Sequence, residues 1–266
     1  MGINLSFFAF PLNLLLLILW LSMVVWLWEK RSTTAPVRFL LSKWGTLTAL
    51  AALLSLSLVV GITGQRTWIQ SWPALLIFLY FQTVLLLITL RGCVRRKSGE
   101  ATGASTHSGF AQIRWRFLLN HLGVLIAVGS TFWGAPDSQN LRLQSFLNEP
   151  CSEAYTLNGE KIWLPYELKL TNFKSDTYQA ELFIDQQPIT LKVNHPYAHN
   201  IAEDIYLMSF GNEGNERQFC VLQIVRQPWK YGIVVGIIFI LLGCLLLFLD
   251  GPKNPAECIK REGTDE

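Results

Sequence analysis

Hydrophobic and polar positions follow two different rhythms along this chain. Five apolar runs, at about 10–28, 44–61, 73–90, 117–133 and 229–249, each approach the roughly 20 residues that a helix needs to cross a bilayer. The last run is the purest, and Trp229, Lys230 and Tyr231 stand at its start as interfacial residues do. The second is the most diluted, by Thr46, Thr48, Ser55 and Ser57. Between the fourth and fifth runs the period changes to two. Tyr166, Leu168 and Leu170 alternate with charged residues, and similar alternation over 180–185 and 189–193 predicts half-buried strands. Further strands are expected at 204–209 and 218–226, with turn signals at Asn158-Gly159, 185–188 and 211–214.

The expected fold is therefore a membrane protein of about five transmembrane α-helices, with an extracytoplasmic antiparallel β domain inserted before the last helix. Residues 1–134 would hold the first four spans, 135–228 the β domain, 229–249 the final span and 250–266 a tail. Since the last strand runs almost directly into Trp229, the β domain is expected to act as a rigid cap rather than a tethered bead. The first run has no Lys or Arg before it and no small-residue cleavage site after it, so it is expected to be an anchor rather than a removed signal peptide.

Charge orients these elements. Lys30, Arg31, Arg38 and Lys43 lie between the first two runs, and Arg91, Arg95, Arg96, Lys97, Arg114 and Arg116 between the third and fourth, against Arg66 alone between the second and third. The positive-inside rule then puts those two basic connections and the C-terminal tail in the cytoplasm, with the N-terminus and β domain on the opposite side. The stretch 97–109 is expected to be a flexible cytoplasmic loop, and His107 within it a solvated residue. Residues 135–228 carry twelve acids and seven bases, which favours a basic partner without specifying one. No basic surface suited to nucleic acid is present.

Composition removes several chemistries. Half of the chain is hydrophobic (51%) and ten residues are Trp. No Walker phosphate loop, dinucleotide-binding glycine pattern or His-Glu-x-x-His motif occurs. The absence of Cys-x-x-Cys excludes a dithiol oxidoreductase of that type and a c-type haem carrier. Of the five cysteines, Cys93 and Cys258 fall on the expected cytoplasmic side and Cys244 within the last span. Cys151 and Cys220 both fall in the β domain, either as a disulfide or as two free thiols. A bridge there would close a loop of roughly 70 residues and add about 3–5 kcal/mol in the chain-entropy picture. His195 and His199 flank Pro196, so a structured turn is expected in place of the helical i, i+4 spacing that suits a metal.

The candidate site is His121, in Asn120-His121-Leu122-Gly123 within the fourth run. An ionisable side chain inside a span is costly and is read as functional by default. Neutral imidazole is well suited to a metal, haem iron included. His121 stands five residues after Arg116, about 7–8 Å into the span at helical rise. As an axial ligand it would need its other ring nitrogen bonded, by Asn120 or by a partner group. Gly123 and Ala127 form a small-residue strip, turned away from His121, on which another helix can pack closely. The competing reading is a neutral histidine hydrogen-bonded between helices.

The order of these parts resembles the ResB (CcsB) family of system II cytochrome c biogenesis. Asn120-His121-Leu122-Gly123 followed by Trp133-Gly134-Ala135-Pro136-Asp137 resembles its His-bearing helix and outer exit. Leu164-Pro165-Tyr166-Glu167-Leu168, Val193-Asn194-His195-Pro196 and Arg226-Gln227-Pro228 resemble its strand motifs, in the same order, over about 44–249. The first run is extra relative to a four-span pattern. The resemblance implies a non-catalytic subunit of a cytochrome c haem lyase complex that moves haem across the bacterial inner membrane. It implies His121 as a haem iron ligand, a separate CcsA-type partner with a tryptophan-rich haem-binding segment (absent here), apocytochrome c as client, and a thiol–disulfide reductase as an associated protein. The alternative function is a structural membrane protein whose β domain docks a partner without touching haem.

Overall fold

A computed structural model describes residues 3–30, 34–94, 115–174, 176–213 and 217–249. His107, Cys258, the loop 97–109 and the tail lie outside the described residues, as does the side chain of Cys93. The chain divides into two compact units, with the boundaries after Trp133 and after Lys230.

The first unit is helical. Helices α1 (Leu12–Glu29), α2 (Ala35–Leu40), α3 (Lys43–Thr63), α4 (Trp72–Val94) and α5 (Trp115–Gly134) precede the β domain, and α6 (Lys230–Leu249) follows it. Among the described residues, five helical segments, Leu12–Glu29, Lys43–Thr63, Trp72–Gly92, Trp115–Asp137 and Lys230–Leu249, are long and apolar enough to cross a membrane. They coincide with the five apolar runs to within a few residues. The hydroxyls that dilute the second run do not break α3, and three of the four bond back along the chain: Thr46 to Ser42 O, Thr48 to Trp44 O and Ser57 to Leu53 O. Ser42 caps the N-terminus of α3 by accepting from Gly45 N, and Gly64 ends it in the left-handed conformation (φ 65°).

The second unit, Gly134–Lys230, is a single eight-stranded antiparallel sheet that curls around one core. Its strands are β1 (Gln139–Phe146), β2 (Pro150–Thr156), β3 (Lys161–Lys174), β4 (Gln179–Ile184), β5 (Gln187–Lys192), β6 (Tyr197–Asn200), β7 (Glu203–Glu213) and β8 (Arg217–Arg226), in the order β5-β4-β3-β2-β1-β8-β7-β6. Alternate positions turn inward: Leu141 and Leu143 on β1, Leu164, Tyr166, Leu168 and Leu170 on β3, Ile205 and Leu207 on β7, Leu222 and Ile224 on β8. The turn expected over 185–188 is shorter than that. Asp185 and Gln186 (φ 44° and 70°) make a two-residue hairpin, and Pro188 already belongs to β5. Proline is tolerated there because β5 ends the strand order. Gly211 continues β7 instead of opening the turn that 211–214 suggested, and 214–216 lie outside the described residues.

Cys151 and Cys220 are both free. Strand β1 separates β2 from β8 in the sheet, Cys220 is buried in the core, and the Cys151 thiol donates weakly to Glu153 O at 3.7 Å. Burial pushes the Cys220 thiol up to about 12.

Candidate functional site

The local sequence around His121 makes one continuous helix in which residues four apart share a face, so Phe117 and His121 stack (ring centroids 3.9 Å, interplanar 28°). Phe117 in turn covers Gly92 of α4, where a Cβ would collide with its ring. His121 Nδ1 lies 2.9 Å from the carbonyl oxygen of Phe117. A carbonyl only accepts, so Nδ1 carries the proton and Nε2 of the neutral ring keeps its lone pair. Nε2 makes no hydrogen bond among the described residues. The imidazole is thus half-buried, fixed in tautomer and held in orientation, with one nitrogen available to an acid, a donor or a metal.

Asn120 does not hold His121. Successive helix residues point about 100° apart, and Asn120 faces α6, where a Cβ on Gly243 would meet its Oδ1 at 2.5 Å and Cys244 donates to the same oxygen at 3.8 Å. The small-residue strip is used as its spacing predicts. A Cβ on Gly236 would sit 2.6 Å from Ala127 N and 2.7 Å from Gly123 O, and Gly232 faces Ser130. Pairing Asn120 with Gly243, Gly123 with Gly236 and Ser130 with Gly232 runs α5 and α6 antiparallel at close range.

A second polar group lies farther along α5 and was not expected. Gln82 on α4 is fully buried (0% exposed) and accepts at Oε1 from Trp133 Nε1 at 3.1 Å. Trp20 Nε1 donates to Thr83 Oγ1 at 2.9 Å, Thr83 donates to Leu79 O at 2.7 Å, and Asn13 Nδ2 donates to Trp133 O at 3.0 Å. These bonds tie α1, α4 and α5 together where apolar packing alone would leave their rotation loosely defined. The available signal was Gln82-Thr83, a polar pair within the third apolar run.

In the β unit, Glu203 (4% exposed) is bonded by the Tyr166 hydroxyl and by Arg226 Nε at 2.6 Å. Burial, and then the Glu203 carboxylate, push the Tyr166 phenol well above its usual range. Next to this pair, Lys230 Nζ bonds both oxygens of Asp204 at 2.8 Å, and Trp229 Nε1 donates to Asp137 at 2.8 Å. These contacts brace the two ends of the domain. His199 belongs to β6, packed against Tyr166 (4.4 Å between centroids), whereas His195 sits in the exposed turn before it. Among the described residues no three His, Cys, Asp or Glu side chains converge to hold a metal ion.

No protein-family profile matches this chain, and a search of curated proteins returned no match.

Proposed function

We propose that this chain is an integral membrane subunit of a system II cytochrome c synthase, and that His121 ligates haem iron through Nε2. The observation that carries this reading is the state of the imidazole. Its Nδ1–H is spent on the Phe117 carbonyl, which fixes the tautomer and the ring orientation and leaves Nε2 to the metal, as in most histidines that ligate metals. Haem, when bound, supplies the iron that Nε2 holds and the vinyl groups to which apocytochrome thiols add.

The chain's own residues do the positioning. Phe117 stacks on the imidazole, and the Gly123–Gly236 contact fixes the face of α5 that His121 presents. A CcsA-type membrane partner would share the haem with His121 and supply most of the attachment chemistry. In this reading the β domain lies outside the bacterial inner membrane, opposite the basic connections, and supports apocytochrome c and a thiol–disulfide reductase.

The test is the visible spectrum of the chain purified with its CcsA-type partner, wild type beside His121→Gly. Loss of the haem bands in the variant, restored by added imidazole, is the expected result. Equal haem in both would leave a docking subunit whose His121 only joins helices. No haem in either would remove the haem reading altogether.

A further inference from the structure

Two hairpin turns of the β unit share one end of its sheet with the chain's own route to α6. Only Gln227, Pro228 and Trp229 separate Arg226, the last residue of β8, from Lys230, the first of α6. At no more than about 3.6 Å per residue, Arg226 lies within about 14 Å of the start of a helix long and apolar enough to cross a membrane. Thr156, the last residue of β2, pairs with Leu141, so the β2–β3 turn (157–160) stands beside the beginning of β1. Glu203 pairs with Arg226, so the β6–β7 turn (201–202) stands beside the end of β8. One turn thus flanks each side of the β1–β8 pair.

Both turns display apolar side chains where glycine, asparagine, aspartate or serine is usual. Ile201 (71% exposed) and Leu157 (66%) are the two most exposed large hydrophobic side chains among the described residues of the β unit. Their backbones are held. Gly159 N donates to Thr156 O at 3.0 Å and Glu160 N to Thr156 Oγ1 at 3.1 Å; Ala202 N donates to Asn200 Oδ1 at 2.8 Å and Gln227 N to Ala202 O at 2.6 Å.

Behind Leu157 the outward face carries the residue types of a membrane interface. Tyr155 is exposed and stands opposite Lys161 on one side and Arg142 on the other. Trp163 is exposed, and Lys161 Nζ lies 4.5 Å from its ring centroid. Two strand positions, about 7 Å, separate Tyr155 from Leu157. An apolar tip followed by amphipathic aromatics and bases is the order met on passing from acyl chains to headgroups. Glu160, exposed in the same turn, limits the depth to the headgroup boundary. With twelve acids against seven bases over 135–228, attraction to anionic lipid does not lead.

We propose that Leu157 and Ile201 insert into the interface of the bilayer, giving the β unit a lipid contact of its own. The proposal rests on α6 crossing a membrane and is independent of haem.

The full chain is placed in phosphatidylcholine nanodiscs with the photocrosslinker p-benzoylphenylalanine replacing Leu157, Ile201, Tyr178 or Leu242, one at a time. Tyr178 is also exposed (55%) but lies past the Lys174↔Gln179 pair, at the other end of β3. Leu242 is an exposed position within α6. After irradiation, mass spectrometry should find lipid adducts at 157, 201 and 242, each at least tenfold more abundant than at 178. Lipid adducts lacking at either tip, or as abundant at 178 as at the tips, would overturn the proposal. So would adducts at the tips to this chain or to a second copy in place of lipid. No lipid adduct at 242 would remove the membrane setting, and the proposal with it.

Discussion

Gly236 offers a quantitative test of how α5 is held. A Cβ there would lie 2.6 Å from Ala127 N and 2.7 Å from Gly123 O, and ordinary contact begins at 3.4 Å. Both obstacles are backbone, so no side chain can swing aside; α5 and α6 must separate by about 0.7–0.8 Å along this line. Overpacking of this kind costs about 1–3 kcal/mol. Replacing glycine by alanine within a helix returns about 0.5–1 kcal/mol. The net expectation for Gly236→Ala is a loss of about 0–2.5 kcal/mol by the same principles. Gly61 of α3 supplies the internal control, since nothing lies within 4 Å of a Cβ built there. Gly61→Ala should therefore keep only the favourable part, about 0.5–1 kcal/mol. Reversible unfolding by sodium dodecyl sulfate in mixed micelles, read by circular dichroism, separates the two. If Gly236→Ala is as stable as Gly61→Ala, the close helix packing is wrong and so is the face assigned to His121.

The buried ties make further predictions. Trp133→Phe strips the last partner from the buried Gln82 amide and should cost about 1–3 kcal/mol in the same assay. Trp20→Phe should cost less, because the Thr83 hydroxyl keeps its bond to Leu79 O. In the β unit, Glu203→Ala leaves Arg226 partly buried and unpaired, and should lower stability by about 3 kcal/mol, the low end for a broken buried pair; no change in the thermal unfolding of the intact chain would contradict this. With Cys220 held at about 12, its thiolate fraction at pH 8 is about a thousandfold below that of an ordinary thiol of pKa 9.0, so iodoacetamide should modify Cys151 long before Cys220, as mapped by mass spectrometry. The raised folded values of Cys220 and Tyr166 contribute stability that is fully present below about pH 9 and is lost as pH rises toward 12. Alkaline unfolding of the β unit should fall in that window.

The features that could be read from sequence are those encoded by spacing. Apolar length gave five helices, and Gly123 with Ala127 gave the face that meets α6. Strands β3, β4 and β5 were legible through the alternation over 166–170, 180–185 and 189–193, and β7 and β8 as the further strands expected at 204–209 and 218–226. Strand β1 was hidden because its third inward position is Ser145, which is buried and accepts from Leu170 N at 3.3 Å. Strand β2 was hidden because a register shift between Cys151 and Glu153 breaks its period and only Ala154 is fully inward. The neighbours of each strand were also illegible, since alternation says which side chains face inward but not which strands pair. The partner of His121 Nδ1 is a main-chain oxygen, which any residue carries, so no side-chain pattern could announce it. The Gln82 amide was overlooked for a related reason: an apolar average over 73–90 conceals one polar group that must find its bonds inside.

The pairing of β1 with β8 runs from Gln139↔Arg226 to Phe146↔Phe219, so the β unit begins and ends on adjacent, hydrogen-bonded strands in mid-sheet. Its two ends are therefore about 5 Å apart, the spacing of residues across an antiparallel ladder. Helices α5 and α6 are antiparallel as well, so in topological terms they form a helical hairpin whose connecting turn has grown into a folded domain. Such an insertion can be exchanged or removed without rethreading the helices. It also fixes where tension goes: a pull between Gly134 and Lys230 would load the ladder at Gln139 and Arg226 like a zipper, one bond pair at a time, long before it reached β4, β5 or β6.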